Sequence, residues 1–268
     1  MTNTLIIALN SAHRFAGSTR GILFLVIYGI FWYQVFTRLY SGVATIAADE
    51  ATAETVGSVL AWFDLDQLIT LFSHYPATLV AYFYIALSVM PLFAIWAAND
   101  QTAGDLDTRY IRFLLPRAAR REIYAGRFIG TLFCFAIVQT LVTLSAIAVS
   151  IQVDQKTIQD ILQYGLVINC LLILYALAFV TLMSLMTAAT ASTAIATLVA
   201  FSSYALIISI VPVLEVRYPQ FQYLIYLLPG AFKSALLGTG VAIAVGGLLL
   251  QSTCYLLLGS LVFVKRDV

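Results

Sequence analysis

The residues of this chain that could do chemistry are concentrated in one stretch. Residues 99–130, NDQTAGDLDTRYIRFLLPRAARREIYAGRFIG, hold Arg109, Arg112, Arg117, Arg120, Arg121 and Arg127, six of the fourteen basic residues, together with Asp100, Asp105, Asp107 and Glu122. Such a set suits docking to a charged partner or to anionic lipid head groups. Nucleophilic and metal catalysis have almost no candidates: there is no Gly-x-Ser and no His-Glu-x-x-His, and His13 and His74 lie outside the apolar runs. Cys134, Cys170 and Cys254 sit inside apolar runs without Cys-x-x-Cys spacing, which argues against a disulfide framework or a zinc site. No P-loop is present either, since Lys156-Thr157 and Lys233-Ser234 lack the preceding glycine.

The elements that must position this stretch are apolar. The chain has 268 residues, 62% hydrophobic and 10% charged, with mean hydropathy +0.95, which implies an all-α polytopic membrane protein with a single transmembrane domain. Six spans are expected near 21–45, 76–98, 128–152, 161–188, 193–214 and 241–264. A net charge of +1 gives no global field for nucleic acid. No early apolar core with a small-residue cleavage site is present, so the first apolar run is expected to be retained.

Charge placement sets the orientation. With both termini inside, Arg14, Arg20, the six central arginines, Lys265 and Arg266 are cytoplasmic, against Arg38, Lys156, Arg217 and Lys233 outside, a positive-inside bias. Residues 99–127 then form the one long cytoplasmic segment. Leu5, Ile6, Leu9, Ala12 and Ala16 recur at helical spacing within 2–18, which reads as an interfacial helix on the same side. Residues 49–75 read as an acidic outer loop, with Trp62, Tyr75 and Tyr82 as interface anchors. Residues 215–238, broken by Pro219, Pro229 and Gly230, read as re-entrant or surface-lying outer helices. Gln34, Thr37, Arg38 and Ser41 form a polar stripe on the first span. That stripe is either a face of a translocation pathway or an exit into water in which Arg38 reaches the interface. Gln139, Asn169 and Gln251, the other strong polar groups of the spans, fit helix-packing hydrogen bonds.

Within the central segment, Thr102-x-x-Asp105 has the form of a capping box, and Leu106, Tyr110, Phe113 and Leu114 follow at helical spacing. This predicts an amphipathic helix over 103–115, with Asp105 paired to Arg109 and Pro116 as its stop. Gly126-x-x-x-Gly130 offers a small-residue face for close helix contact. Such a hairpin is either a lipid-binding topology determinant or a docking knob for a soluble partner, and the Pro-broken helix–turn–helix favours docking.

The run RFLLPRAARREIYAGRFIG, residues 112–130, resembles the signature of type 2 ATP-binding-cassette (ABC) permeases: a Leu-rich cytoplasmic helix, a turn with Pro or Arg, then Arg121-Glu122-Ile123 and Gly126-Arg127-Phe128-Ile129-Gly130. The outer run YLLPGAFKSALLG and the terminal FVKRDV are similar to that family as well. Asp107-Thr108-Arg109-Tyr110 departs from the family's acidic-Gly-Thr-Leu run, and Pro116 sits about one residue early. The resemblance implies a permease subunit of the bacterial inner membrane, an exporter that dimerises with a second, identical or different, permease subunit. Two P-loop ATPase subunits beneath it would bind ATP and magnesium, and this chain would bind no cofactor and catalyse nothing. Their coupling contacts would fall on Leu106, Arg109, Tyr110, Arg112, Phe113, Arg117, Arg120, Arg121 and Glu122. The rival readings are a stand-alone secondary transporter or channel, a membrane assembly factor, and an intramembrane enzyme.

Overall fold

Backbone N–H and C=O groups in apolar surroundings must be satisfied within their own segment, so a chain of this composition folds into helices. A computed structural model describes residues 2–48, 71–72, 74–190, 192–238 and 240–266, and among them no strand occurs. In chain order the helices are α1 (Thr2–Gly17), α2 (Thr19–Ala48), α3 (Ala77–Ala97), α4 (Ala103–Asp107), α5 (Ile111–Leu114), α6 (Arg120–Val153), α7 (Ile158–Ala189), α8 (Thr193–Arg217), α9 (Lys233–Leu237) and α10 (Val241–Lys265). Two 3-10 helices, Pro219–Leu227 and Pro229–Phe232, precede α9. Six of these helices, α2, α3, α6, α7, α8 and α10, are long and apolar enough to cross a membrane. The expected acidic loop over 49–75, with Trp62, lies outside the described residues apart from 71–72 and 74–75.

Helix α7 is the hub and packs against α3, α6, α8 and α10. Because lipid is as apolar as leucine, these helices associate through close packing and interhelical hydrogen bonds rather than a hydrophobic drive. On α2 the buried stripe is aromatic: Phe24, Tyr28 and Trp32, at steps of four, are each almost fully buried. Tyr28 meets Phe93 edge-on at 4.7 Å between ring centroids and Trp32 meets Tyr82 at 5.0 Å. Gln34, Thr37, Arg38 and Ser41 lie on the open side of the same helix.

A chain of polar side chains crosses the bundle. The Tyr28 hydroxyl donates to Gln139 Oε1 (2.6 Å), the Gln139 amide donates to the Tyr82 oxygen (2.7 Å), and the Tyr82 and Thr143 hydroxyls are hydrogen-bonded to each other (2.8 Å). Thr143 in turn donates to Asn169 Oδ1 at 3.1 Å. Gln139 and Asn169 are thus packing groups, as expected, whereas Tyr82 is no interface anchor: its ring is buried and its hydroxyl is held inside this chain. Tyr75 stacks on Tyr164 at 4.1 Å.

Helix ends use carboxylates and hydroxyls supplied by neighbours. Asp154, just past α6, accepts from the Thr78 backbone N–H at 3.3 Å and from Ser150 at 2.6 Å, so the end of one helix caps the start of another. Thr157 caps α7 by accepting from the Asp160 N–H at 3.2 Å. The segment 219–237 packs against α8 and α10 well inside their ends. The Gln251 amide on α10 donates to the carbonyl oxygens of Tyr226 (3.3 Å) and Leu227 (2.7 Å). Gly230 packs so closely on the α8 ring of Tyr204 that an added Cβ would lie 2.2 Å from its hydroxyl.

Candidate functional site

The polar junction is built where α1, the end of α3, α4, α5 and the start of α6 meet. Helix α1 turns into α2 through Ser18, whose hydroxyl accepts from the Gly21 N–H (3.0 Å) and donates to the Phe15 carbonyl (3.2 Å). A Cβ on Gly21 would fall 1.7 Å from that carbonyl, so the corner admits glycine alone. The corner lays α1 along α6. Cβ atoms added at Gly126 and Gly130 would meet the α1 backbone, Thr4 O at 2.9 Å and Ala8 O at 2.5 Å. The small-residue pair therefore makes a close helix contact as expected, and its partner is the N-terminal helix. Ile7 and Ala8 face inward, whereas Leu5, Ile6 and Leu9 stay open.

Beneath the junction lies an ion-pair network. Arg127 Nε is 2.8 Å from Asp105 Oδ2, and both side chains are only 3% exposed. The two groups are close without being aligned as a hydrogen bond. Arg14 donates to the other Asp105 oxygen at 2.5 Å and to Asp100 at 3.2 Å. Arg20 lies 3.9 Å from Asp100, and Arg127 also donates to Ser11 at 3.2 Å. Partial burial alone would lower the pKa of Arg14. The hydrogen bond and charge of Asp105, followed by those of Asp100, outweigh this and raise it above the ordinary value.

This arrangement corrects the local reading of the segment. Asp105 pairs with Arg127 and Arg14, not with Arg109, because a buried carboxylate gains more from two guanidiniums in low dielectric than from one across an exposed helix turn. Thr102 caps nothing; its hydroxyl donates to Thr187 of α7 at 3.1 Å. The single helix over 103–115 is instead two short helices, broken where Arg109 takes φ 55°. A left-handed residue with a Cβ costs about 1–2 kcal/mol. The break rotates the apolar stripe: Leu106 and Ile111 turn inward against Ile123, Tyr124, Ala188 and Phe263, while Tyr110 and Phe113 point outward.

The residues named from sequence therefore divide. Arg109, Tyr110, Arg112, Phe113, Arg117 and Arg121 are on the open surface, with Phe113 73% exposed. Leu106 lies beneath them. Glu122 is turned back on the chain, accepting from the Ala119 N–H at 3.0 Å to cap α6. Arg120 donates to the carbonyl oxygens of Val264 (3.3 Å) and Arg266, and Arg266 donates to the Ala188 carbonyl (2.8 Å), so both arginines clasp the end of α10. A recess of about 660 Å³ opens beside the surface, lined by Arg14, Arg20, Asp107, Tyr110, Phe113 and Arg127 among others. The buried pair Asp105–Arg127 and the role of Arg14 were missed in the sequence. The available signal was the bare fact that two arginines and an aspartate fall where the chain must be tightly packed.

The chain matches the family described as "Protein of unknown function (DUF2705)" over residues 63–268. A comparison with curated proteins finds no match.

Proposed function

The chain belongs to the DUF2705 family of proteins of unknown function, and we propose that it is the permease subunit of an ABC exporter, driven by a separate P-loop ATPase. One observation carries this reading. The 99–127 segment is held from below by the buried Asp105–Arg127 pair and by half-open Arg14, and leaves Tyr110 and Phe113, flanked by Arg109, Arg112, Arg117 and Arg121, open above. Aromatics with arginines are the composition of a protein-binding hot spot, and a lever that transmits force must be stiff at its base. Lipid contact alone needs neither.

In this reading both termini and the 99–127 segment are cytoplasmic, following the positive-inside bias. Helix α1 lies in the interface with Leu5, Ile6 and Leu9 toward lipid, and the 219–237 segment re-enters from outside. Closure of the ATPase on ATP pushes the α4–α5 hairpin. Asp105 carries the push to α6 through Arg127 and to the α1–α2 corner through Arg14. Helix α2 then moves with its open stripe of Gln34, Thr37, Arg38 and Ser41, which lines the pathway against a second permease subunit. Gln139, Asn169 and Gln251 are all engaged in hydrogen bonds within the bundle, which fits packing groups rather than the substrate site of a self-driven transporter.

The test is binding of a P-loop ATPase encoded beside this reading frame, co-expressed with the chain and purified in nanodiscs. Each hot-spot aromatic contributes about 2 kcal/mol or more, so Y110A/F113A is expected to weaken the complex at least a hundredfold. If this variant still binds like the native chain, the docking assignment fails.

A further inference from the structure

Lys233 is a cation held against the side of α3. Its ammonium donates to the Ser88 hydroxyl at 2.7 Å and lies 4.5 Å from the centroid of the Tyr84 ring. No ion pair to it occurs among the described residues. Ser88 is eleven residues past Ala77 in the 21-residue helix α3, so it sits roughly 16 Å along a helix about 31 Å long. Two other contacts fix the depth of the same segment. Gln251, which holds the Tyr226 and Leu227 carbonyls, is ten residues past Val241, roughly 15 Å along α10. Tyr204, against Gly230, is eleven residues past Thr193, roughly 16 Å along α8. Three helices thus agree that 226–233 reaches the middle of the bundle, and Lys233 reaches it with a charge.

The ammonium is not enclosed. Ser88 and Leu92, one turn apart on α3, are exposed, and so is Ser234 beside Lys233. The strip therefore opens sideways, where the hydrocarbon of a bilayer would lie, between apolar surfaces that include Leu92. An ammonium at that depth is costly unless its donors are satisfied. One hydroxyl and one ring face offset part of this cost, yet they leave N–H donors that need an acceptor. An acceptor arriving through the hydrocarbon must bring an apolar tail with it.

We propose that Lys233, Ser88 and Tyr84 form a mid-membrane binding site for the phosphate of an anionic amphiphile that enters from the bilayer. Lys233 pairs with the phosphate, Ser88, whose own hydroxyl donates to the Tyr84 carbonyl at 2.8 Å, holds the lysine in place, and the tail lies along the α3 strip over Leu92. The site deepens the exporter reading by naming the class of cargo: a lipid-like molecule crossing the membrane must bring its head group to this depth. Only that transport consequence rests on the exporter reading. The binding itself requires no ATPase.

The experiment is native mass spectrometry of the full chain released from nanodiscs of phosphatidylcholine containing phosphatidylglycerol, compared with K233M, K233R and S88A. The native chain is expected to retain one phosphatidylglycerol in preference to phosphatidylcholine. K233M should weaken that retention at least about tenfold, the loss of one charge-assisted hydrogen bond, K233R should keep it, and S88A should fall between. A second arm adds inorganic phosphate to phosphatidylcholine nanodiscs. With decyl phosphate added to a parallel sample, binding of decyl phosphate but not of inorganic phosphate identifies the amphiphile as the source, whereas equal binding of inorganic phosphate overturns entry from the bilayer. Equal retention of phosphatidylglycerol by native chain and K233M, both with unchanged thermal midpoints, overturns the site. Failure of every candidate ATPase to bind would instead sink the exporter reading and leave these counts intact.

Discussion

Replacing Asp105 by Asn removes one charge and almost no volume from the base of the polar junction. Arg127, 3% exposed and 2.8 Å from the lost charge, then faces a neutral amide and Ser11 at 3.2 Å, while Arg14 keeps Asp100 at 3.2 Å. Breaking a buried pair by removing one partner costs about 3–5 kcal/mol, because the remaining charge stays desolvated. Arg14 is half-open to water and adds little to that cost. Removing both charges in D105N/R127M should be far milder, since a buried pair exchanged for neutral groups is often close to neutral. Denaturant unfolding of the four members of this cycle in detergent micelles measures the coupling, expected at about 2–4 kcal/mol. Amide hydrogen exchange should show α1 opening first in D105N, because Arg14 ties it to the same carboxylate. A D105N variant within about 0.5 kcal/mol of native, or a double variant no more stable than the sum of the single losses, would refute the idea that this network holds the junction.

Three further outcomes follow from contacts elsewhere. G130L drives a side chain into the Ala8 carbonyl, where a Cβ already falls 2.5 Å away; α1 should detach, and trypsin should cut after Arg14 many times faster than in the native chain. Q139L leaves the Tyr28 and Tyr82 hydroxyls without their shared partner and should cost about 0.6–2 kcal/mol by the scale of intramembrane hydrogen bonds, read as a lower unfolding midpoint. R120A should free the end of α10, raising hydrogen exchange near Val264 and Arg266, while ATPase binding stays native-like because Arg120 faces these carbonyls.

Sequence pattern carried the bundle further than the junction. Runs of about twenty apolar residues are unambiguous, and the six expected spans correspond to six helices, although α6 begins at Arg120 rather than near 128 because its first turns are polar. The Gly126–Gly130 pair signalled a close approach but could not name α1 as the partner. Local rules failed for Asp105, since i,i+4 spacing proposes Arg109, whereas the pairs that form join residues 22 and 91 positions apart. Nothing in Thr108-Arg109-Tyr110 announces a left-handed arginine, as neither Gly nor Asn marks it. Lys233 counted simply as an outer cation. Its depth depends on how far Pro219, Pro229 and Gly230 let the chain descend, and that is a tertiary property.

In the exporter we propose, the open aromatics over the ion-paired base receive the stroke of an ATPase. ATP turnover by the reconstituted complex in nanodiscs, native chain against F113D, tests it most directly. Phe113 is 73% exposed, so F113D should leave the thermal midpoint of the chain unchanged. Turnover by the F113D complex is expected to fall to that of the ATPase alone. Turnover equal to that of the native complex would contradict it.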